Sequence, residues 1–328
     1  MKSQKYNFDM DVVSGTYAGE LALPYVTAAI TGAETLKNNR ARLMEGVVAK
    51  AVINNVAFDQ QGGGATVIQA ASCAGTDGAN TQLTEQLITL TDLMVKEVIC
   101  RKTIFPTFMA AQGRMRRDGN IPPDFAEFLL ASTAAQAAND VESLIWTGSS
   151  PFGTGLLSAN GTFDITNVRA SQMGGFAEAD LDSVGAFTKA TILNALNAVF
   201  ETAAATPGIL LQPGAGFYLS YEAFAFFQQA IAAQSTTEGY NQQLLTPTYL
   251  GYPVYPTAGI PNTADIIAFT YPNNVVVATN AYTGNEAAAL IPVYQYDGSD
   301  NVKVTMDFAI GVNVAVPGDG VVGFDFTA

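Results

Sequence analysis

Residues 122–148 read PPDFAEFLLASTAAQAANDVESLIWTG, and this stretch sets the architecture. Asp124 is placed to cap a helix, Glu127 follows three residues later as in a capping box, and Gly148 stands just past the end. Together they predict one uninterrupted helix over 124–147. Phe125, Phe128, Leu129, Ser132, Ala135, Ala138, Val141 and Ile145 recur at helical spacing and are the expected buried stripe. Such a helix is a rod of roughly 35 Å. Its middle is alanine and serine, so other elements can approach its backbone closely.

Working outward, SVGAFTKATILNALNAVFETAAA predicts a helix opening at Ser183, and SYEAFAFFQQAIAAQ a helix opening at Ser220. Between them GILLQPGAGFYL supplies a buried strand ending in Phe217, Tyr218 and Leu219. Strands then dominate to the end: ADIIAFTY, NVVVATN, ALIPVYQYD, NVKVTMDFAIGVNVAV and GVVGFDF. Upstream of the long helix, TLKNNRARLMEGVVAKAVI (35–53) predicts a helix. The Gly-, Thr- and Gln-rich run over 58–90 predicts an extended hairpin or loop, and DLMVKEVICRKTIF a strand leading into a short helix. There is no internal repeat, and this order is that of an α+β protein whose last strands return to pack on something earlier.

Only 13% of the 328 residues are charged, about half of the ~25% usual in soluble domains, which suits either a secreted, neutral-polar surface or one extensively covered by partner subunits. Residues 1–117 carry 12 Lys and Arg against 10 Asp and Glu, whereas residues 118–328 carry 3 against 19. So acidic a C-terminal two-thirds disfavours nucleic-acid binding, which relies on cations replacing condensed counterions. Two cysteines, Cys73 and Cys100, do not make a disulfide framework. The N-terminus MKSQKYNFDMDVVSG lacks the apolar run of a signal peptide, and uncharged windows such as 143–163 are polar rather than membrane-spanning. The expected compartment is cytoplasmic.

The absence of histidine removes Ser-His-Asp and Cys-His catalysis and nearly every zinc site. Neither a nucleophile elbow nor a phosphate-binding loop occurs. In YDGSDN, Asp297 and Asp300 lack the ligand count of a calcium loop and read as a turn between strands. The expectation is therefore a protein without catalytic, cofactor or metal site.

The long helix running into NDVESLIWTGSSPFGTGLLSA, the pattern FYLSYEAFAFFQQAIAA…TPTYLGYPVYPTAGIP…ADIIAFTYPNNVVVATN, and the closing VKVTMDFAIGVNVAVPGDGVV together resemble the major capsid protein of tailed bacteriophages. That family has the fold named after phage Hong Kong 97, and the match covers roughly residues 85–325. The resemblance implies an HK97-like capsid fold with an N-terminal arm over 1–57 and an extended loop over 58–92. A peripheral domain with the spine helix follows over 93–184, then an axial domain over 185–290 and strands over 291–328 returning to the peripheral domain. It implies a structural subunit forming hexamers and pentamers of an icosahedral shell, assembled in the host cytoplasm around double-stranded DNA. Portal, scaffold or decoration proteins are the further partners it implies, with no membrane. An encapsulin-type nanocompartment shares the fold and is the near alternative. A secreted β-rich glycan-binding or tail-associated protein is the alternative from another class.

Within LGYPVYPTAGIP (250–261) the resemblance places Leu250–Val254 as a strand entering the axial domain. Gly251 would allow close backbone approach, while Pro253, Pro256 and Pro261 would stiffen the exit turn. Tyr252 and Tyr255 offer flat contact area at little rotamer cost and are candidate intersubunit contacts. The cluster GRMRRDG (113–119) is the densest basic run. Its Arg114, Arg116 and Arg117 are candidates for pairing with carboxylates of a neighbouring subunit, because a guanidinium fork matches a carboxylate in two parallel hydrogen bonds.

Overall fold

A computed structural model of the chain describes residues 15–18, 23–59, 80–100, 123–148, 155–157, 177–181, 184–205, 208–234, 247–262, 265–281, 287–293, 301–316 and 318–324. The arginine cluster 113–119, the hairpin tip, Cys73 and the Asp297–Asp300 turn lie outside the described residues.

The long helix α3 runs from Pro123 to Trp146, after the short helices α1 (Leu23–Thr31) and α2 (Glu34–Lys37). Proline is tolerated in a first helical turn because its missing N–H would have no intrahelical partner there. Asp124 consequently falls inside the first turn instead of preceding it. At the other end Gly148 turns left-handed, and Leu156 and Leu157 donate their amides to the carbonyls of Ile145 and Trp146 at 2.9 and 2.6 Å. Its buried stripe is Leu129, Leu130, Ala134, Ala137, Ala138, Val141, Ile145 and Trp146, with Thr133 and Glu142. Ser132 and Ala135 are exposed and Phe128 largely so. The expected stripe is thus rotated by about one position. Small residues occupy every face of the central turns, so only tertiary contact selects one.

Two sheets lie against this helix. In the first, β13 (Asn301–Val314) pairs with β12 (Ala287–Pro292), β11 (Val275–Thr279) and β5 (Thr91–Cys100). β1 (Gly15–Ala18) extends it beyond β12, and β2 (Arg42–Met44) extends it beyond β11. β13 alternates strictly over its first half, and Val302, Val304 and Met306, with Ala288 and Leu290, pack on Leu129, Leu130, Ala134 and Ala137 of α3. The second sheet runs β6 (Ala177–Asp180), β14 (Val321–Phe324), β10 (Ile266–Thr270), β7 (Gly216–Leu219), β9 (Tyr252–Pro256), β8 (Thr248–Tyr249). Helices α4 (Ile192–Ala205) and α5 (Tyr221–Gln234) cover one face, against Phe217, Leu219, Ile267, Phe269 and Val321. Tyr218, Ile266, Ala268, Val322 and Phe324 turn to the other face and join Val141, Ile145 and Trp146 in a shared core. Of the closing strands, β13 pairs with β5 while β14 pairs with β10, so residues 291–328 are divided between the two sheets.

The expected helix over 35–53 does not form. α2 ends after Lys37 in a Schellman turn: Asn39 is left-handed at φ 52, Arg40 N–H bonds to Thr35 O, and Asn39 N–H to Leu36 O. The chain then enters β2 and the hairpin β3 (Lys50–Asp59)–β4 (Asn80–Thr89), paired over ten residues from Lys50↔Thr89 to Asp59↔Asn80. The helix expected from Ser183 starts only at Ile192. Thr188 and Thr191 instead hold a turn, with Ala190 N–H donating to Thr188 Oγ1 and Thr188 N–H to Thr191 Oγ1. The helix expected at Ser220 is present, and Ser220 Oγ accepts the Ala223 amide at 3.2 Å as its cap.

The stretch 250–261 also reads differently in three dimensions. Leu250 (φ 49) and Gly251 (φ 88) are the tight turn between β8 and β9, so the strand begins at Tyr252. Gly251 serves its left-handed backbone, with open space where a side chain would be. Pro253 and Pro256 lie within β9, between β7 and β8; only Pro261 is in the exit turn. Close approach belongs to Gly259, where a Cβ would stand 2.3 Å from Trp146 Cδ1 and 2.4 Å from Glu142 O. Gly259→Ala therefore forces α3 and this turn apart and lowers stability by about 1–3 kcal/mol, as overpacking does. Gly251→Ala costs only about 1 kcal/mol, for backbone strain. Urea unfolding of the two variants beside the wild type measures the difference.

Candidate functional site

Among the described residues no three of His, Cys, Asp and Glu come together as metal ligands, and no helix is long and apolar enough to cross a membrane. The polar groups concentrate instead where α2, α3, α5 and the turn after β9 meet. Glu142, on the apolar stripe of α3, is 2% exposed. Its Oε2 accepts the Thr35 amide at 2.8 Å and its Oε1 the Thr35 hydroxyl at 2.6 Å. Thr35 Oγ1 in turn accepts Trp146 Nε1–H at 2.9 Å. One threonine thus satisfies a carboxylate and an indole, both of which burial would otherwise penalise.

A second layer lies outside this chain of bonds. Glu34 accepts the Tyr221 hydroxyl at 3.0 Å and the Ala258 amide at 3.1 Å. Arg40 stands 3.7 Å from Glu34, donates to Pro256 O at 2.8 Å and lies 4.4 Å over the Tyr255 ring. The Schellman turn that ends α2 is what aims Arg40 at these partners. Burial is the main cause that raises the Glu142 carboxyl above the ordinary range, with the Glu34 charge adding to it and the Thr35 and Trp146 bonds opposing. The arrangement spends its donors and acceptors on one another. It ties four chain segments together.

Of the residues singled out from the sequence, Tyr252 and Tyr255 are half-buried on β9. Tyr252 donates to Leu210 O at 3.0 Å and packs near Phe200 and Phe269. Tyr255 lies between Arg40 and Tyr218, 5.4 Å from the latter. These contacts are all within the chain. Arg114, Arg116 and Arg117 lie outside the described residues. The Thr35–Glu142–Trp146 junction was missed. Its one sequence signal is a glutamate standing on an otherwise apolar helical stripe beside the sole tryptophan. Exposed large apolar side chains mark other surfaces: Val52 and Leu87 on the hairpin, and Met94 and Val98 at 64% and 57% on the outer face of β5.

No protein-family model matches this chain, and no curated protein does. Solved structures do. The capsid of an empty GTA particle is similar at 14% identity over 90% of each chain, with TM-score 0.58. A structure from Mycobacterium phage Adephagia is similar at 9% identity over 99% of this chain and 94% of that one, with TM-score 0.52. The capsid of Myoviridae phage XM1 is similar at 10% identity over the same shares, with TM-score 0.51. The chain thus has the α+β, HK97-like fold of capsid subunits.

Thr35→Val removes both the acceptor of Trp146 and the donor to Glu142 Oε1, and it is expected to cost about 1–3 kcal/mol for each group orphaned. Thr35→Ser keeps the hydroxyl and stays close to the wild type. Urea midpoints of the three proteins test this.

Proposed function

We propose that this chain is the major capsid protein of a tailed bacteriophage, a structural subunit of an icosahedral shell enclosing double-stranded DNA. The likeness to capsid chains across 90% or more of both partners carries the reading. The sparse charge and the apolar side chains exposed on the hairpin and β5 support it, as surfaces that neighbouring copies would cover.

In this role copies of the chain meet as hexamers and pentamers, with an N-terminal arm, an extended loop, a peripheral domain built on α3 and an axial domain built on the second sheet. Assembly takes place in the host cytoplasm, with portal, scaffold or decoration proteins as further partners. The arginines Arg114, Arg116 and Arg117 pair with carboxylates of an adjacent subunit, and the exposed edges of Tyr252 and Tyr255 meet a neighbour around the capsomer axis. DNA is enclosed without sequence-specific contact, in keeping with the acidic C-terminal two-thirds.

The full chain, expressed alone and with its scaffold, is expected to form closed particles by negative-stain microscopy, with contacts above the ~2,000 Å² at which obligate interfaces begin. A stable monomer by light scattering at micromolar concentration under both conditions would overturn the proposal. Replacing Arg114, Arg116 and Arg117 together by glutamine is expected to lower particle yield and salt tolerance while leaving the helical circular dichroism unchanged. Unaltered assembly with reduced DNA retention would assign the cluster to nucleic acid instead.

A further inference from the structure

The second sheet and its two helices carry a pocket and an apolar knob that one chain cannot bring together. The pocket, of about 370 Å³, opens where the first turns of α4, the last turn of α5 and the β8–β9 turn meet. Leu193, Ile231, Tyr249 and Leu250 give it apolar walls, Asn194 and Thr248 add polar groups, and no lining residue is charged. It is built in advance. The Tyr249 hydroxyl donates to Leu193 O at 3.3 Å and ties β8 to α4, and the left-handed Leu250 and Gly251 fix the turn beside it.

The knob is Leu211. At 88% it is the most exposed of the large apolar side chains among the described residues, and it ends the 3₁₀ turn Ile209–Leu211 that follows α4. A lone surface leucine is ordinary, but the backbone under this one is pinned. Its amide donates to Gly208 O at 3.2 Å, the Gln212 amide to Ile209 O at 3.1 Å, and the Tyr252 hydroxyl to Leu210 O at 3.0 Å, while Ile209 is fully buried. Residues 208–214, GILLQPG, carry no charge. A side chain held out on a fixed backbone loses little freedom when it is covered. α4 is about 20 Å long, with the pocket beside its first turns and Leu211 beyond its last, so Leu211 does not reach the pocket of its own chain.

We propose that Leu211 of one copy seats in this pocket of the next, as a head-to-tail contact around the capsomer. The inference rests on the shell reading, which supplies the second copy, and it names the contact. Because knob and pocket are different patches of the same chain, the interface is heterologous: every copy gives one leucine and receives one, and the contact repeats around a ring. The buried leucine acts as the anchor, and Asn194 and Thr248 stand where they can bond the backbone that arrives with it. No ion has to be desolvated on either side.

The full chain is treated with a short bismaleimide as wild type, Leu211→Cys, Asn194→Cys and the double variant. A denaturing gel is expected to show a ladder of linked copies that only the double variant gives, since links through Cys73 or Cys100 appear in all four. Leu211→Asp is expected to raise the concentration needed for half-assembly by about tenfold or more, with circular dichroism unchanged, whereas Leu211→Met stays close to the wild type. Wild-type particles without a ladder specific to the double variant overturn the contact and leave the shell reading intact, and so does unaltered assembly of Leu211→Asp. A wild type that stays monomeric overturns the shell reading and the contact with it. Should the double variant not assemble, co-expression of the two single variants decides: a linked dimer that neither gives alone is expected, and its absence overturns the contact.

Discussion

The middle of α3 carries no large side chain on its buried face between Leu130 and Val141, so what packs there must bring its own backbone to the helix. Gly32 does so at the middle, and Gly259 brings its backbone to the helix about one turn further on, at Glu142 and Trp146. A Cβ on Gly32, after α1, would stand 2.8 Å from Ala138 Cβ, and one on Gly259 would collide with Glu142 O and Trp146. Dispersion falls steeply with separation, so a helix offering only methyl groups holds its neighbours only if they come this close. The position of both sheets relative to α3 depends on that approach.

Such proximity exposes the polar groups of the helix to burial, and the structure answers with Thr35. Its hydroxyl and amide stand where Glu142 and Trp146 need partners, one residue after Glu34 and five before Arg40. Those two flanking residues fasten α5, the turn after β9 and Tyr255 to the same point. The four-residue α2 would not be stable alone, since helix nucleation is unfavourable. It persists because its first turn is spent entirely on these contacts.

The two sheets meet along the same helix and are stitched together a second time by the chain's crossings. β10 and β11 are consecutive yet lie in different sheets, as are β13 and β14. Asn274, fully buried between them, accepts the Val316 amide through its side chain and donates to Asp319 O. One core runs from one sheet to the other through Val141, Ile145, Trp146, Tyr218 and Phe324.

The α+β order, the long helix, the capped α5 and the five closing strands were legible in the sequence, because periodicity, capping residues and β-branched runs are local properties. The resemblance of those segments in that order was enough to anticipate the fold that the capsid structures share. The tight turn at Leu250–Gly251, the Schellman stop at Asn39 and the late start of α4 were not legible. Each depends on hydrogen bonds or a backbone conformation that a propensity does not encode. The face of α3 that is buried was undecidable locally, since alanine and serine surround the helix. Only the approach of β12, β13, Gly32 and Gly259 chose it. The same choice turned Glu142 inward, and it became the buried centre of the junction because Thr35, 107 positions away, arrives with two donors for its carboxylate.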